Sequence, residues 1–207
     1  MELVTVVDHP LIQHNLTLLR DTRTALREFR RCLGEVSALM VYEATRSFET
    51  VPVEVTTPLT TTQGAKLRRE VILVPVLRAG LGMLDGIIRL MPDARVGFIG
   101  LRRDETTLLP ATYHESLPND ISDFELVVID PMLATGGSAV AALDALTRRG
   151  GRHIRLINLV AAPAGIAAVR QKYPKIPIFT AAIDERLNDH GYIVPGLGDA
   201  GDRLFGV

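Results

Sequence analysis

The sequence of 207 residues has little of several features that mark particular protein classes. Its single cysteine, Cys32, cannot form an internal disulfide, which excludes a disulfide-stapled secreted scaffold. Tryptophan is absent, aromatic residues make up 5%, and no apolar run approaches the roughly 20 residues that a membrane-spanning helix needs. The formal net charge of -1 gives the molecule as a whole no electrostatic attraction to nucleic acid. We therefore expect one ordinary globular domain, residues 1–207.

The first third of the chain has the spacing of amphipathic helices. Apolar residues recur every three or four positions and predict a helix with one buried face, beside which Cys32 would be a core residue: Leu26, Phe29, Leu33, Val36 and Met40. We expect residues 1–65 to form an N-terminal helical part, in which the threonine-rich stretch 56–62 is a connection. The start, 1–4, lacks a basic region followed by an apolar run, so we expect a cytoplasmic protein.

From about residue 71 the pattern changes to short β-branched runs that alternate with helical segments. The predicted strands are Val71–Val76, Val96–Gly100, Leu126–Ile129, Ile154–Leu159 and Ile176–Phe179. The predicted helices are Leu81–Met91, Ser138–Arg149 and Gly165–Tyr173. Apolar strands separated by helices predict an α/β fold, a mostly parallel sheet flanked by helices. Segment 104–123, rich in acidic residues and proline, interrupts the rhythm and predicts a hairpin-like flap that closes over the site.

The phosphate loop, residues 130–138, is the most informative stretch. A strand ends at Asp130, and a loop of small residues leads into a helix that begins at Ser138. Gly136 and Gly137 allow backbone N–H groups to point at an anion, Thr135 and Ser138 add hydroxyl donors, and the helix N-terminus adds partial positive charge. No lysine follows the glycines, which argues against a nucleoside triphosphatase and favours a monophosphate as the ligand. Asp130 can accept hydrogen bonds from sugar hydroxyls.

The phosphate loop resembles the phosphoribosyl pyrophosphate signature of type I phosphoribosyltransferases, in the form found in uracil phosphoribosyltransferases. Val74–Met83 and Tyr192–Arg203 extend the resemblance over nearly the whole chain, in the order that the family has. Many phosphoribosyltransferases have two adjacent acids at this strand end, whereas Ile129 precedes Asp130 here, which suits the uracil branch and leaves one ribose hydroxyl without an assigned partner. The resemblance implies donor binding by Asp130, Pro131, Met132, Leu133, Ala134, Thr135, Gly136, Gly137 and Ser138.

Two arginines follow predicted strands. Arg78 lies between an apolar strand and a glycine turn, where a fixed cation needs an anionic partner. Arg103 ends the strand that begins at Val96. The carboxyl ends of parallel strands meet at one edge of a sheet, where ligands bind. The resemblance implies that Arg78 and Arg103 hold the pyrophosphate.

The tail loop, residues 192–207, contains a glycine pattern that matches the dinucleotide fingerprint from Gly196 to Gly201. Only six residues follow it, so the crossover helix and second strand of a Rossmann unit have no room. A glycine-rich loop exposes N–H and C=O groups that suit a flat heterocycle with alternating donors and acceptors. The resemblance implies uracil binding, largely through main-chain atoms, by Ile193, Gly198, Asp199 and Ala200. It also places Asp199 near the donor and near Mg²⁺, through water and the donor pyrophosphate.

The activity that the resemblance implies is transfer of the 5-phosphoribosyl group from phosphoribosyl pyrophosphate to N1 of uracil. The products are UMP and diphosphate, in pyrimidine salvage, and the cofactor is Mg²⁺. The catalytic residues would be Arg103, Asp130 and Asp199. The family also implies a homodimer or homotetramer and, in some members, activation by GTP, and we expect no nucleic acid and no membrane as partners.

Two alternatives stay open at this point. The first is an RNA-binding regulator on the same fold, which needs a continuous basic surface, and the nearest candidate is the basic stretch 148–155. The second is a transferase for another base, such as a purine. Competition between uracil and hypoxanthine would separate the second from the uracil enzyme.

Overall fold

A computed structural model describes residues 3–103 and 110–207, with the backbone alone at residues 102, 103, 110 and 111. The helices are α1 (Pro10–Arg20), α2 (Leu26–Ala44), α3 (Leu81–Leu90), α4 (Gly137–Arg148), α5 (Pro163–Lys172) and α6 (Ala200–Phe205). The strands are β1 (Val4–Val6), β2 (Thr50–Thr56), β3 (Thr61–Leu67), β4 (Val71–Leu77), β5 (Arg95–Val96), β6 (Phe98–Arg103), β7 (Pro110–Ser116), β8 (Glu125–Ile129), β9 (Met132–Leu133), β10 (His153–Ala161), β11 (Ile178–Ile183), β12 (Arg186–Leu187) and β13 (Ile193–Val194).

The main sheet has the strand order β1-β11-β10-β8-β4-β6-β7. From β1 to β6 the described neighbours are parallel, and β7 runs antiparallel to β6. The short strands β5 and β9 pair with β4 and β10. This arrangement confirms the predicted α/β fold with a mostly parallel sheet.

Both faces of the sheet are covered, because alternate residues of the central strands point to opposite sides. Leu73 and Val127 pack in a cluster with residues of α1, α2 and α3. Ile72 and Leu126 pack in a second cluster with residues of α4 and α5. Burial of each of these aliphatic side chains contributes about 1.5–3 kcal/mol to the stability of the fold. Packing on both faces therefore fixes where the strands end. Cys32 is fully buried in the first cluster, as predicted.

The N-terminal part differs from the prediction in two regions. Residues 10–20 and 26–44 are helical, but residues 4–6 form strand β1 beside β11, and residues 50–67 form an antiparallel hairpin of β2 and β3 instead of continuing the helical part to residue 65. The alternating β-branched residues of β2 favour a strand. The threonine-rich connection shortens to a turn in which Thr57 Oγ1 accepts the N–H groups of Leu59 at 3.2 Å and Thr60 at 3.0 Å.

The predicted flap is in part a hairpin of the main sheet. β6 and β7 pair in antiparallel register from Phe98 opposite Ser116 to Arg103 opposite Pro110. The Arg149 Nε donates to a Glu115 carboxylate oxygen, which ties β7 to the end of α4. The part of the flap prediction that falls on residues 104–109 lies outside the described residues.

Candidate active site

The candidate site lies at the edge where the central parallel strands end. β4 ends at Leu77, β8 at Ile129 and β11 at Ile183, and each strand is followed at once by a charged residue. These residues are Arg78, Asp130 and Asp184. Open α/β sheets bind ligands at this edge, because the loops there are held by rigid strands and helix N-termini.

The phosphate loop has the geometry of an anion cradle. Gly136 has φ +84° and precedes the first turn of α4. The first intrahelical bond runs from the Val140 N–H to the Gly136 carbonyl at 2.9 Å, so the amides of Gly137, Ser138 and Ala139 have no acceptor within the helix. Amides in this position, with the partial positive charge of the helix end, bind phosphate.

The close contact between the phosphate loop and α5 requires a glycine on each side. A Cβ on Gly136 would lie 2.8 Å from the Ala168 Cβ and 2.9 Å from the Gly165 carbonyl oxygen. A Cβ on Gly165 would lie 2.5 Å from the Leu133 carbonyl oxygen. The loop therefore packs backbone against backbone on the start of α5, which fixes the position of its amides.

Asp130 is half-buried behind the phosphate loop. Its N–H donates to the Ile157 carbonyl at 3.1 Å, and its own carbonyl accepts the Asn158 Nδ2 at 2.7 Å. Its Oδ1 accepts the Met132 N–H at 3.4 Å. Burial raises the pKa of Asp130 to about 7, an effect that the Met132 N–H opposes. In its ionised form, a carboxylate held in this way accepts strong hydrogen bonds from hydroxyl groups.

Arg78 begins the turn between β4 and α3, and its side chain is exposed. Its guanidinium carbon lies 5.9 Å from the centroid of the Phe205 ring. Among the described residues, no carboxylate lies within salt-bridge distance of Arg78. The turn is adjacent to Asp130, since a Cβ on Gly80 would lie 2.5 Å from the Ile129 carbonyl oxygen. The turn that carries Arg78 thus adjoins the strand that leads into the phosphate loop, and the exposed guanidinium charge is available to an anion.

The tail loop meets the Arg78 turn from the other side. A Cβ on Gly201 would lie 3.9 Å from the Ala79 Cβ. Asp199 caps α6, because its Oδ1 accepts the Asp202 N–H at 2.9 Å. Gly198 has φ +79° and is exposed, and within the described part of the chain its N–H and C=O groups have no hydrogen-bond partner. This backbone is free to pair with a heterocycle.

The structure places the predicted segments along one edge of the sheet. The turn of Arg78 adjoins the end of β8, which leads into the phosphate loop, and it also adjoins the tail loop through Ala79 and Gly201. Ile193 is 4% exposed, so its side chain belongs to the core and only its main chain is available. Arg103 ends β6 at the same edge of the sheet, and its side chain lies outside the described residues.

Sequence reasoning missed the residues that hold the tail loop. Arg203 donates to the Leu197 carbonyl at 2.9 Å, to the Asp21 carbonyl at 2.7 Å and to the Leu19 carbonyl, and it stacks on the Phe29 ring at 4.4 Å. A second support, the ion pair of Arg20 and Asp184, is described below. The available signal was an acid directly after a strand, the pattern by which Asp130 was found.

The basic stretch 148–155 does not form the continuous basic surface that an RNA-binding regulator needs. Arg155 is buried, and its guanidinium donates to the Glu125 carboxylate at 2.9 Å. Arg149 pairs with Glu115, whose other carboxylate oxygen lies 3.9 Å from Arg148. These arginines hold elements of the fold together.

Comparisons with known proteins agree with this geometry. The uracil phosphoribosyltransferase family model matches residues 6–207. Over 206 residues the chain is 55% identical to the uracil phosphoribosyltransferase of Dictyoglomus turgidum. The alignment covers 99% of this chain and 100% of that protein. The solved structure of the AQ2163 protein from Aquifex aeolicus superimposes with a TM-score of 0.94 at 38% identity and covers 99% of this chain and 98% of that one.

A more distant structure shares the fold. It is a hypoxanthine-guanine phosphoribosyltransferase from Bacillus anthracis, with a TM-score of 0.52 at 16% identity over 77% of this chain and 79% of that one. The fold is thus one that phosphoribosyltransferases adopt. The extent of the family match and the identity to its members narrow the assignment further: the chain belongs to the uracil phosphoribosyltransferase family.

Proposed function

We propose that this protein transfers the 5-phosphoribosyl group of phosphoribosyl pyrophosphate to N1 of uracil, giving UMP and diphosphate in pyrimidine salvage. One observation carries the proposal. The turn that carries the exposed Arg78 adjoins both the strand that leads into the anion cradle and the tail loop that carries the open backbone of Gly198. Phosphoribosyl pyrophosphate carries a phosphate and a charged leaving group, and uracil is a flat base. This pair of substrates therefore matches the three features.

In this proposal the donor lies along the sheet edge. The amides and hydroxyls of Thr135–Ser138 hold the 5-phosphate, and the rest of the phosphate loop from Asp130 lines the sugar. Asp130 accepts hydrogen bonds from the ribose hydroxyls. Arg78 and Arg103 neutralise the pyrophosphate.

The reaction breaks the bond between C1 of the ribose and the pyrophosphate oxygen and forms a bond from C1 to N1 of uracil. The bonding electron pair leaves with diphosphate, and uracil gives up its N1 proton. Arg78 and Arg103 stabilise the charge that the leaving group gains, and Asp130 and Asp199 face the electron-poor ribosyl centre. The protein supplies positioning and electrostatics and no covalent nucleophile.

The base is read by main-chain groups. Gly198 and Ala200, with the main chain of Ile193, offer donors and acceptors at fixed positions, and uracil presents alternating carbonyl and N–H groups. Main-chain groups at fixed positions select a base by the pattern of hydrogen-bond donors and acceptors along its edge. A purine presents a different edge and a larger ring system, so we expect uracil to be preferred.

Mg²⁺ is the cofactor of this proposal. The described residues contain no group of three histidine, cysteine, aspartate or glutamate side chains that would form a metal site of protein ligands alone. Mg²⁺ often keeps several waters and binds through one or two carboxylates plus substrate phosphates. The exposed Asp199, with its Oδ1 engaged by Asp202, fits a water-mediated contact of this kind. When bound with the donor, Mg²⁺ supplies charge neutralisation at the diphosphate.

The proposal also includes a homodimer or homotetramer. In the hairpin of β2 and β3 the strands pair mainly with each other, and Leu59 at its tip is 96% exposed. An isolated two-stranded hairpin is marginally stable in water, so a second copy of the chain would stabilise it. Light scattering coupled to size exclusion measures the assembly, and a monomer at micromolar concentration would contradict this part.

GTP is a candidate activator, and the cytoplasm is the proposed location. A groove of about 810 Å³ between α2 and α3 is lined by four arginines and by the acids Glu35 and Asp85. Arg31 is paired with Glu28 and Glu35, whereas Arg27, Arg30 and Arg89 form no salt bridge within the described part of the chain, and their charges would suit an anionic nucleotide. A titration of GTP into the transfer assay tests activation, and an unchanged rate would remove GTP from the proposal. Cell fractionation tests the location. No helix among the described residues is long and apolar enough to cross a membrane.

The assay of the main proposal uses purified protein, phosphoribosyl pyrophosphate, uracil and Mg²⁺. We expect release of diphosphate and formation of UMP, both dependent on uracil. Hypoxanthine in place of uracil is the matched control for base identity. The absence of turnover with uracil, or faster turnover with hypoxanthine, would overturn the proposal.

A further inference from the structure

An ion pair between the partly exposed Arg20 and the buried Asp184 holds the tail loop at Gly196. The guanidinium of Arg20, the last residue of α1, makes two bonds of 2.7 Å to the Asp184 carboxylate. The same guanidinium donates to the Gly196 carbonyl at 2.7 Å, and Asp184 Oδ2 accepts the Gly196 N–H at 2.7 Å. The pair therefore engages both main-chain polar groups of Gly196.

Gly196 is a position where the chain has little freedom. Its φ is +61°, and a Cβ there would lie 2.2 Å from the Ile193 carbonyl oxygen. Asp184 is 7% exposed and follows the end of β11, so it is a rigid anchor. The next carbonyl along the chain, that of Leu197, is held by Arg203. The backbone is thus fixed up to the residue before Gly198.

We propose that Arg20 and Asp184 are positioning residues for base recognition. By fixing Gly196 they set where the N–H and C=O groups of Gly198, which have no partner within the described part of the chain, meet a pyrimidine. The inference rests on the proposed function, because it assumes that the tail loop reads the base. Neither residue needs to touch a substrate in this role.

An ion pair with a purely structural role would stabilise the fold without affecting one substrate in particular. The chain offers a matched control for that case in Arg155 and Glu125, a pair at 2.9 Å whose carboxylate is buried like that of Asp184. Glu125 begins β8, so this pair lies at the opposite end of the sheet from the site. A substitution there removes a buried charge without touching the tail loop.

The experiment compares Asp184→Ala, Asp184→Asn, Arg20→Lys and Glu125→Gln with the parent protein. We expect Asp184→Ala to raise the KM for uracil by roughly tenfold or more while the KM for the donor changes less than about twofold, since misplacement of a binding group by about 1 Å costs on the order of 100-fold. Asp184→Asn keeps an acceptor for the Gly196 N–H and Arg20→Lys keeps the charge, so both should recover part of the affinity. Glu125→Gln should lower Tm and leave the KM for uracil unchanged.

A folded Asp184→Ala protein whose KM for uracil matches the parent would overturn the inference, and so would an equal rise in both KM values. If Asp184→Ala does not fold, Arg20→Lys and Asp184→Asn decide the question by the same ratio of KM values. Unchanged ratios in both of these variants would then contradict it.

Amide hydrogen exchange separates this inference from the proposed function. In the unliganded protein we expect Asp184→Ala, which removes the acceptor of the Gly196 N–H, to speed exchange in peptides that cover residues 196–200 and not in peptides of the phosphate loop. If the variant exchanges faster at residues 196–200 but the parent protein has no activity with uracil, the proposed function is refuted and the positioning role of Arg20 and Asp184 stands. If the parent is active but the variant exchanges at the parental rate, only the positioning role is refuted.

Discussion

The phosphate loop and the tail loop lie at the same edge of one sheet, but they are held by different means. The phosphate loop is supported by its own neighbours in the chain, the end of β8 before it and α4 after it, and by the glycine contact with α5. The tail loop is supported by side chains from afar, with Arg20 separated from Gly196 by 176 positions and Arg203 bonded to the end of α1. Close backbone packing fixes the phosphate loop, whereas hydrogen bonds from distant arginine side chains fix the tail loop.

This difference has a consequence for how the two loops fail. A change in the phosphate loop should alter donor use, because the loop residues themselves meet the ligand. A change in the supports of the tail loop should alter base use at a distance. The following substitutions are expected to separate the two kinds of support.

The largest effect is expected for Asp130→Asn. The substitution removes the charged acceptor of the ribose hydroxyls, each bond to which is worth roughly 1.5–3 kcal/mol, so kcat/KM for the donor should fall by roughly 10²–10⁴-fold. Circular dichroism and thermal unfolding should show a folded protein. Parental activity in this variant would mean that the phosphate loop does not hold a sugar phosphate.

Gly136→Ala tests the close packing of the phosphate loop. Positive φ and the contact at 2.8 Å with Ala168 should together lower the free energy of unfolding by roughly 2–4 kcal/mol and raise the KM for the donor. Gly150→Ala is the matched control, because Gly150 has φ +82° but its Cβ would meet nothing closer than the Ser122 Cβ at 3.7 Å. We expect it to cost about 1 kcal/mol and to leave the KM unchanged. Equal effects in both variants would show that packing on α5 is unimportant.

Arg203→Ala tests the side-chain support of the tail loop. Loss of its carbonyl contacts and of the Phe29 stacking should lower the free energy of unfolding by roughly 1–3 kcal/mol and raise the KM for uracil more than that for the donor. Arg23→Ala removes an arginine from the turn that Arg203 contacts, where Arg23 forms an exposed pair with Asp21, and it should leave Tm and both KM values unchanged. A larger effect on the donor than on uracil would contradict the separation of the two loops.

The smallest effect concerns the pH dependence of stability. The pKa of Asp130 is raised from 3.8 to about 7, so the folded protein holds this proton more tightly than the unfolded chain does. This contribution is fully present below about pH 4 and is lost as the pH rises through 7. Between pH 5 and 7 the difference in unfolding free energy between the parent and Asp130→Asn should change by roughly 1–2 kcal/mol in favour of the variant. Chemical unfolding of both proteins without ligand measures it, and parallel curves would contradict it.

The same contrast explains how much of the molecule could be predicted from the sequence. The central strands, the helices between them and the phosphate loop follow from local periodicity and from the run of acid, hydroxyl and glycine residues. The hairpin 50–67 was missed because the helical pattern before it was extended too far across alternating β-branched residues. The pairing of Arg20 with Asp184 joins residues 164 positions apart, and no local pattern records such a contact.

The anchoring of the tail loop on α1 also bears on the order in which the site is assembled. Contacts between distant parts of a chain form after local ones, because closing a long loop costs more conformational entropy. The phosphate loop depends on the neighbouring elements β8, β10, α4 and α5, whereas the base-reading backbone needs α1 and the last residues of the chain to meet. In refolding followed by amide exchange, we therefore expect protection of the phosphate loop before protection of residues 196–200.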